Sequence, residues 1–106
     1  MGGVNLLADG NVDRMYIITK AIDVASVAAA TTAAQTFTVD GVRVGDVVFA
    51  VKPSLTAGLG IAGARVSATN SVTITFVNAT AGALDPASET YLFLVMRPNA
   101  TLTAVA

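Results

Sequence analysis

Apolar and polar positions alternate with a period of two from about residue 15 onward, over most of the chain. That period belongs to strands whose two faces meet different surroundings. Ser71 to Asn78 carries it most plainly: Val72, Ile74 and Phe76 fall on one face, Thr73 and Thr75 on the other. Gln35 to Val39 repeats it, with Phe37 and Val39 inward and Thr36 and Thr38 outward. Aromatic and β-branched residues of this kind fit a pleated, half-buried surface. Val47–Val51 and Tyr91–Met96 are apolar on both faces instead. Such runs mark central strands, or strands whose outer face meets a partner. A strand from Met15 to about Val24 and another near Ile61–Ala68 bring the number to six or seven.

The breaks between these runs carry turn chemistry. Asp40-Gly41 and Gly45-Asp46 separate the second and third runs, and Asn70-Ser71 turns the Ile61–Ala68 strand into the next as a hairpin. Pro53–Gly60 and Ala79–Pro86 read as the two long loops. Val24 to Ala34 is rich in alanine, the best helix former, yet is interrupted by Val27, Thr31 and Thr32. A helical turn and a loop or irregular strand are both open there. Short strands at this spacing predict an all-β fold: a single-domain antiparallel β-sandwich or small β-barrel. The β-domain spans residues 15–97. Residues 1–14 and 98–106 lack sustained alternation and read as extended terminal arms, able to order on a neighbour's sheet edge.

Composition sharpens this reading. Hydrophobic residues make up 54% of the chain before its nine glycines are counted. An average domain has roughly 45–50% with glycine included. Charged residues are 12%, about half the usual share. A body of 106 residues buries only part of its surface, so the surplus apolar surface predicts cover by neighbouring copies or a larger assembly. The six basic residues are scattered singly and the net charge is -1, which argues against nucleic acid as a partner. The longest uncharged stretch, Val66–Leu84, is too rich in Ser, Thr and Asn for a spanning helix. No secretory signal is expected, because Met1–Leu6 lacks a basic flank and Asp9 follows closely.

Candidate chemistry is thin. Without Cys there is no disulfide or thiolate site, and without His the commonest general base and metal ligand are missing. Asp9, Asn11 and Asp13 copy the first ligand spacings of a calcium loop. Arg14 then stands where that loop needs Gly, and Lys20 where it needs Glu. Asp85 with Glu89, or Asp40 with Asp46, are the nearest carboxylate pairs for glycoside chemistry, but three of the four sit at turns. A Ser-Lys arrangement survives formally, with neither Lys20 nor Lys52 in a recognisable spacing. Gly58, Gly60 and Gly63 match a dinucleotide spacing without the strand-and-helix context it needs. Tyr16 and Tyr91 lie inside predicted strands and are assigned to core or interface packing. No catalytic, cofactor-binding or metal site is expected, and the chain reads as no enzyme.

The segments TFTVDGVRVGDVVFAVKPSLTAGLG, ARVSATNSVTITFVNATAGALDP and ETYLFLVMR, within residues 36–97, resemble small structural proteins of tailed-bacteriophage particles, of the capsid decoration (cement) type. The likeness lies in turns and alternation. It implies a homo-oligomer, with a trimer the expectation, seated on the major capsid protein at the capsid exterior of the virion and made in the host cytoplasm. It implies mechanical reinforcement, with no cofactor, no small-molecule substrate and no membrane. Head-fibre, minor coat and tail-associated proteins share such features, and a carbohydrate- or receptor-binding module is the alternative. Leu6 and Leu7 in the N-terminal arm and Leu55 and Leu59 in the long loop are the candidate partner contacts, as large apolar groups placed where a lone copy would expose them.

Overall fold

The computed structural model describes residues 12–99. Six strands follow in chain order: β1 (Val12–Ile22), β2 (Thr31–Thr38), β3 (Val47–Val51), β4 (Leu59–Ala68), β5 (Ser71–Asn78) and β6 (Glu89–Pro98). They form two antiparallel three-stranded sheets, ordered β1-β6-β3 and β2-β5-β4. The protein is an all-β sandwich and not a closed barrel, because no strand of one sheet pairs with a strand of the other. β3 and β5 have the predicted limits. β1 begins at Val12, so Val12–Arg14 belong to the sheet and not to a terminal arm. β6 likewise takes in Pro98. Residues 1–11, with Leu6, Leu7 and the Asp9–Asn11 part of the calcium-like spacing, lie outside the described residues, as do residues 100–106.

Burial follows the alternation. Val72, Ile74 and Phe76 of β5 face Tyr91, Phe93 and Val95 of β6, and all six are fully buried. Val48, Leu59 and Val66 join them from the flanking strands, and Ile22, Val24, Val27, Val39 and Val42 from strand ends and loops. The outer face of β2-β5-β4 is a hydroxyl surface. Thr36 and Thr73 bond at 2.8 Å, and Thr73 Oγ1 donates to Ser67 Oγ at 2.8 Å. That chain of hydroxyls crosses all three strands of the sheet.

The alanine-rich segment is neither helix nor free loop. The side-chain amide of Gln35 accepts from the Ala25 N–H and donates to the Ala25 carbonyl, both at 2.9 Å. Val27 pairs with Leu84 through two backbone bonds of 2.7 and 3.0 Å. Val24 and Val27 are buried. Local helix preference of a few tenths of a kcal/mol per residue loses to these long-range bonds and to burial of two valines, about 1.5–3 kcal/mol each.

Asn78 organises the far end of the sandwich. It is buried, and its Nδ2 donates to the carbonyls of Val27 (3.0 Å) and Gly82 (2.9 Å). Its Oδ1 accepts from the Thr80 N–H (2.9 Å) and hydroxyl (2.7 Å). One side chain thus ties β5, the β1–β2 loop and the β5–β6 loop together. Gly58 packs beside the same knot at φ 83°, where an added Cβ would overlap Cγ2 of Thr80. Asn78→Leu strands buried carbonyls and an N–H without partners, and should cost about 2–4 kcal/mol. A fall in urea midpoint at unchanged slope is the expected result; an unchanged midpoint would show that the knot is dispensable.

Candidate interaction surface

The outer face of β1-β6-β3 is the unusual feature of the molecule. Register sets three rows across it: Met15–Met96–Val47, Ile17–Leu94–Phe49 and Thr19–Leu92–Val51. Eight of these nine positions are apolar and none is charged. Six of the side chains leave large fractions in water: Met15 55%, Ile17 62%, Val47 45%, Phe49 55%, Val51 51% and Leu92 38%. Leu94 and Met96, flanked on both sides, are half-buried. Together they place on the order of 600 Å² of apolar surface in one contiguous patch, at the top of what a lone soluble protein shows.

The two double-apolar runs in the sequence are β3 and β6, adjacent in this sheet, and β1 supplies the third column through Met15 and Ile17. Of the candidate contacts, Leu55 is 87% exposed at the tip of the β3–β4 loop, as expected. Leu59 corrects its expectation. It opens β4 and is 8% exposed, because its side chain turns inward with Ile61 and Val66. The loop ends at Gly58, two residues earlier than the glycine pattern implied, so Leu59 is core.

The candidate acid groups separate into two clasps and two lone turn residues. Arg97 holds Asp46 with Nε to Oδ1 and Nη2 to Oδ2, both at 2.9 Å, and the Arg43 N–H donates to Oδ2 at 3.0 Å. The same guanidinium donates to the Gly41 carbonyl at 2.8 Å, which also accepts from the Tyr16 hydroxyl at 2.9 Å. Arg97 holds the Asp46 carboxyl below its ordinary range. With both oxygens occupied, Asp46 has nothing left for a partner acid, and Asp40 stands exposed in its turn.

At the opposite end Lys52 Nζ lies 2.6 Å from Glu89 Oε1 and donates to the Ser54 carbonyl at 2.7 Å. Ser54 Oγ donates to Glu89 Oε2 at 2.6 Å. Lys52 first, then Ser54, holds the Glu89 carboxyl below its ordinary range. Both Glu89 oxygens are thus engaged, one by the ammonium and one by the serine hydroxyl. This grouping closes the loop after β3 onto the start of β6, beside a shallow recess of about 320 Å³ lined by Leu55, Leu59, Ile61 and Phe76. Sequence spacing paired Glu89 with Asp85, which stays exposed. The inward parity of Lys52 and Glu89 at neighbouring strand ends is the signal that finds the true partner.

Tyr91 is fully buried beside Phe93, and among the described residues its hydroxyl has no hydrogen-bond partner. Burial, with the negative Glu89 adding to it, pushes the phenol up to about 12. No group of three or more acidic residues that could hold a metal ion occurs among the described residues, and no helix there is long and apolar enough to cross a membrane. Comparison of the chain with models of known protein families, with curated proteins and with solved structures finds no match.

Two measurements check these groups. Asp46 ionises more readily folded than unfolded, so its contribution to stability is present above the unfolded value, roughly 3.9. That contribution is lost as pH falls through the depressed folded value. Urea midpoints should fall between pH 5 and pH 3, less steeply in Asp46→Asn; a variant with the wild-type slope would show that the clasp carries none of it. Glu89, held low by Lys52 and Ser54, contributes with the same sign. Tyr91→Phe removes a buried hydroxyl that bonds to nothing, so thermal stability should hold or rise by up to about 1 kcal/mol. A clear loss would mean the hydroxyl has a partner.

Proposed function

We propose that the protein is a non-enzymatic structural subunit of a larger particle, specifically a decoration protein that seats on the major capsid protein lattice of a tailed bacteriophage as a homo-oligomer. The observation that carries the reading is the uncharged outer face of β1-β6-β3, with Phe49 and Ile17 in its middle row, more than half exposed. A sheet face of that composition gains by leaving water, at about 25 cal/mol per Å², and among the described residues nothing covers it. The resemblance of residues 36–97 to capsid decoration proteins supplies the kind of particle.

The mechanism is linkage. A subunit that binds an assembled shell and not its separated pieces shifts the equilibrium toward the shell by mass action. Copies joined to one another bind with raised effective concentration, so modest single contacts add to firm attachment. The work is mechanical, with the apolar face and the exposed Leu55 loop as the contact surfaces. The acidic and basic side chains that meet, Asp46 with Arg97 and Glu89 with Lys52, neutralise one another within the fold and are not presented as a reactive group.

The test mixes the purified full chain with undecorated shells assembled from the major capsid protein of the phage that encodes it. Saturable binding at a fixed number of copies per shell, with raised resistance of the shell to heat, is the expected result. No binding across a range of shell maturation states would sink the decoration reading.

A further inference from the structure

The geometry points to a second copy of this chain as what covers the outer face of β1-β6-β3, two copies closing face to face about a two-fold axis. The inference rests on the assembly reading above and names the surface that joins its copies. Area is the first argument. Two faces of on the order of 600 Å² each bury up to about 1,200 Å² together, which clears the roughly 1,000 Å² expected of a specific interface. Flat antiparallel sheets stack in this way at about 10 Å, with side chains interdigitating.

Chemistry is the second argument. Of the nine positions, Thr19 alone carries a hydrogen-bonding side chain, and none is charged. Such a face holds no pattern of donors or acceptors by which to select a chemically distinct surface, and desolvates no charge against its own kind. Its natural complement is another flat, uncharged sheet face, and every copy carries one. The other outer face of the same molecule, crossed by Thr36, Thr73 and Ser67 in hydrogen bond, is a poor match for it.

Symmetry is the third. A cyclic trimer needs two different complementary patches on each copy, whereas a two-fold contact needs one patch that meets itself. Among the described residues one such patch exists. A pair, and not the trimer implied by resemblance, follows. The edges of the sheets point the same way. β4 is bulged between Ile61 and Gly63 and again between Val66 and Ala68, β3 has five residues, and β1 carries Arg14 and Lys20 exposed. These are devices that discourage edge-to-edge pairing. Three of the four edges are guarded in this way; β2, regular and uncharged, is the exception, and the outer face of β1-β6-β3 carries no such device.

Light scattering coupled to gel filtration on the full chain reads the outcome. Twice the chain mass of 10.7 kDa, falling toward one chain mass on dilution, is expected. Phe49→Lys and Ile17→Lys each place a charge in the middle row, twice per two-fold pair, and should raise the dissociation constant of the pair about 100-fold or more. Both side chains are exposed in a single copy, so the strand signature in circular dichroism and cooperative melting should persist, with the melting temperature lowered to that of the dilute wild type; Thr32→Lys, on the opposite outer face, should leave the pair intact. A wild-type chain that stays single at millimolar concentration overturns the inference, as does a trimer mass, or a pair undisturbed by Phe49→Lys. Shell binding is scored separately. Pairing without shell binding removes the particle reading and keeps the pair. Shell binding by a single chain, abolished by Phe49→Lys, removes the pair and gives the face to the shell.

Discussion

The pairing of β3 with β6 holds the rest of the sandwich in place, and apolar patterning alone does not determine it. Both strands are apolar on both faces, so a slip of one residue would exchange one set of large side chains for another at little hydrophobic cost. Charge settles the choice. Asp46, Val48, Ala50 and Lys52 share the inward parity on one strand and its flanks; Glu89, Tyr91, Phe93, Val95 and Arg97 share it on the other. The antiparallel register brings Arg97 to Asp46 at one mouth of the sandwich and Lys52 to Glu89 at the other. A one-residue slip would throw these charges onto the outer face and break both pairs. Two ion pairs of modest individual worth thus select which face of the sheet is core.

The loops are held by polar side chains acting in place of strands. Gln35 offers Ala25 the donor and acceptor of a backbone neighbour, and Asn78 does the same for Val27 and Gly82. Asn70 accepts from the Gly41 N–H at 2.8 Å while its backbone bonds to Val39 and Val42. These backbone groups, outside the ladders, are met by side-chain partners instead.

The sequence was most legible where one physical effect dominated. Ser71–Asn78 emerged with its observed limits because alternation and flanking turn residues agreed, and Val47–Val51 because an unbroken apolar run meets Gly45-Asp46 before it and Lys52-Pro53 after it. The strand that begins at Thr31 was hidden, since alanine and threonine pack no large face of their own; its inward residues are Ala33, Gln35 and Phe37, and the decisive contact spans ten residues from Gln35 to Ala25. The partner of Glu89 was hidden for the same reason: Lys52 lies far away along the chain and near only once β3 and β6 pair. The apolar face was half legible. Two of its columns stood out as runs apolar on both sides, while Met15 and Ile17 were indistinguishable from core positions until β1 was placed at an edge with its other side inward.

That last ambiguity carries the deepest physical point. A two-sheet sandwich buries one face of each sheet, so the fold itself asks nothing apolar of the remaining two. The β2-β5-β4 sheet follows that freedom and covers its outer face with Thr36, Thr38, Thr73 and Thr75. The β1-β6-β3 sheet, equal in strand number and joined to the same core, fills the equivalent positions with Met, Ile, Leu, Val and Phe. Folding burial cannot account for a difference between two faces that folding treats alike. Exposure of that size also carries a cost in solubility, which a lone protein avoids by placing charge there. The sequence places its charges at the mouths and edges of the sandwich instead, and leaves the face bare of them, which is the distribution required if that face spends its working life against another surface.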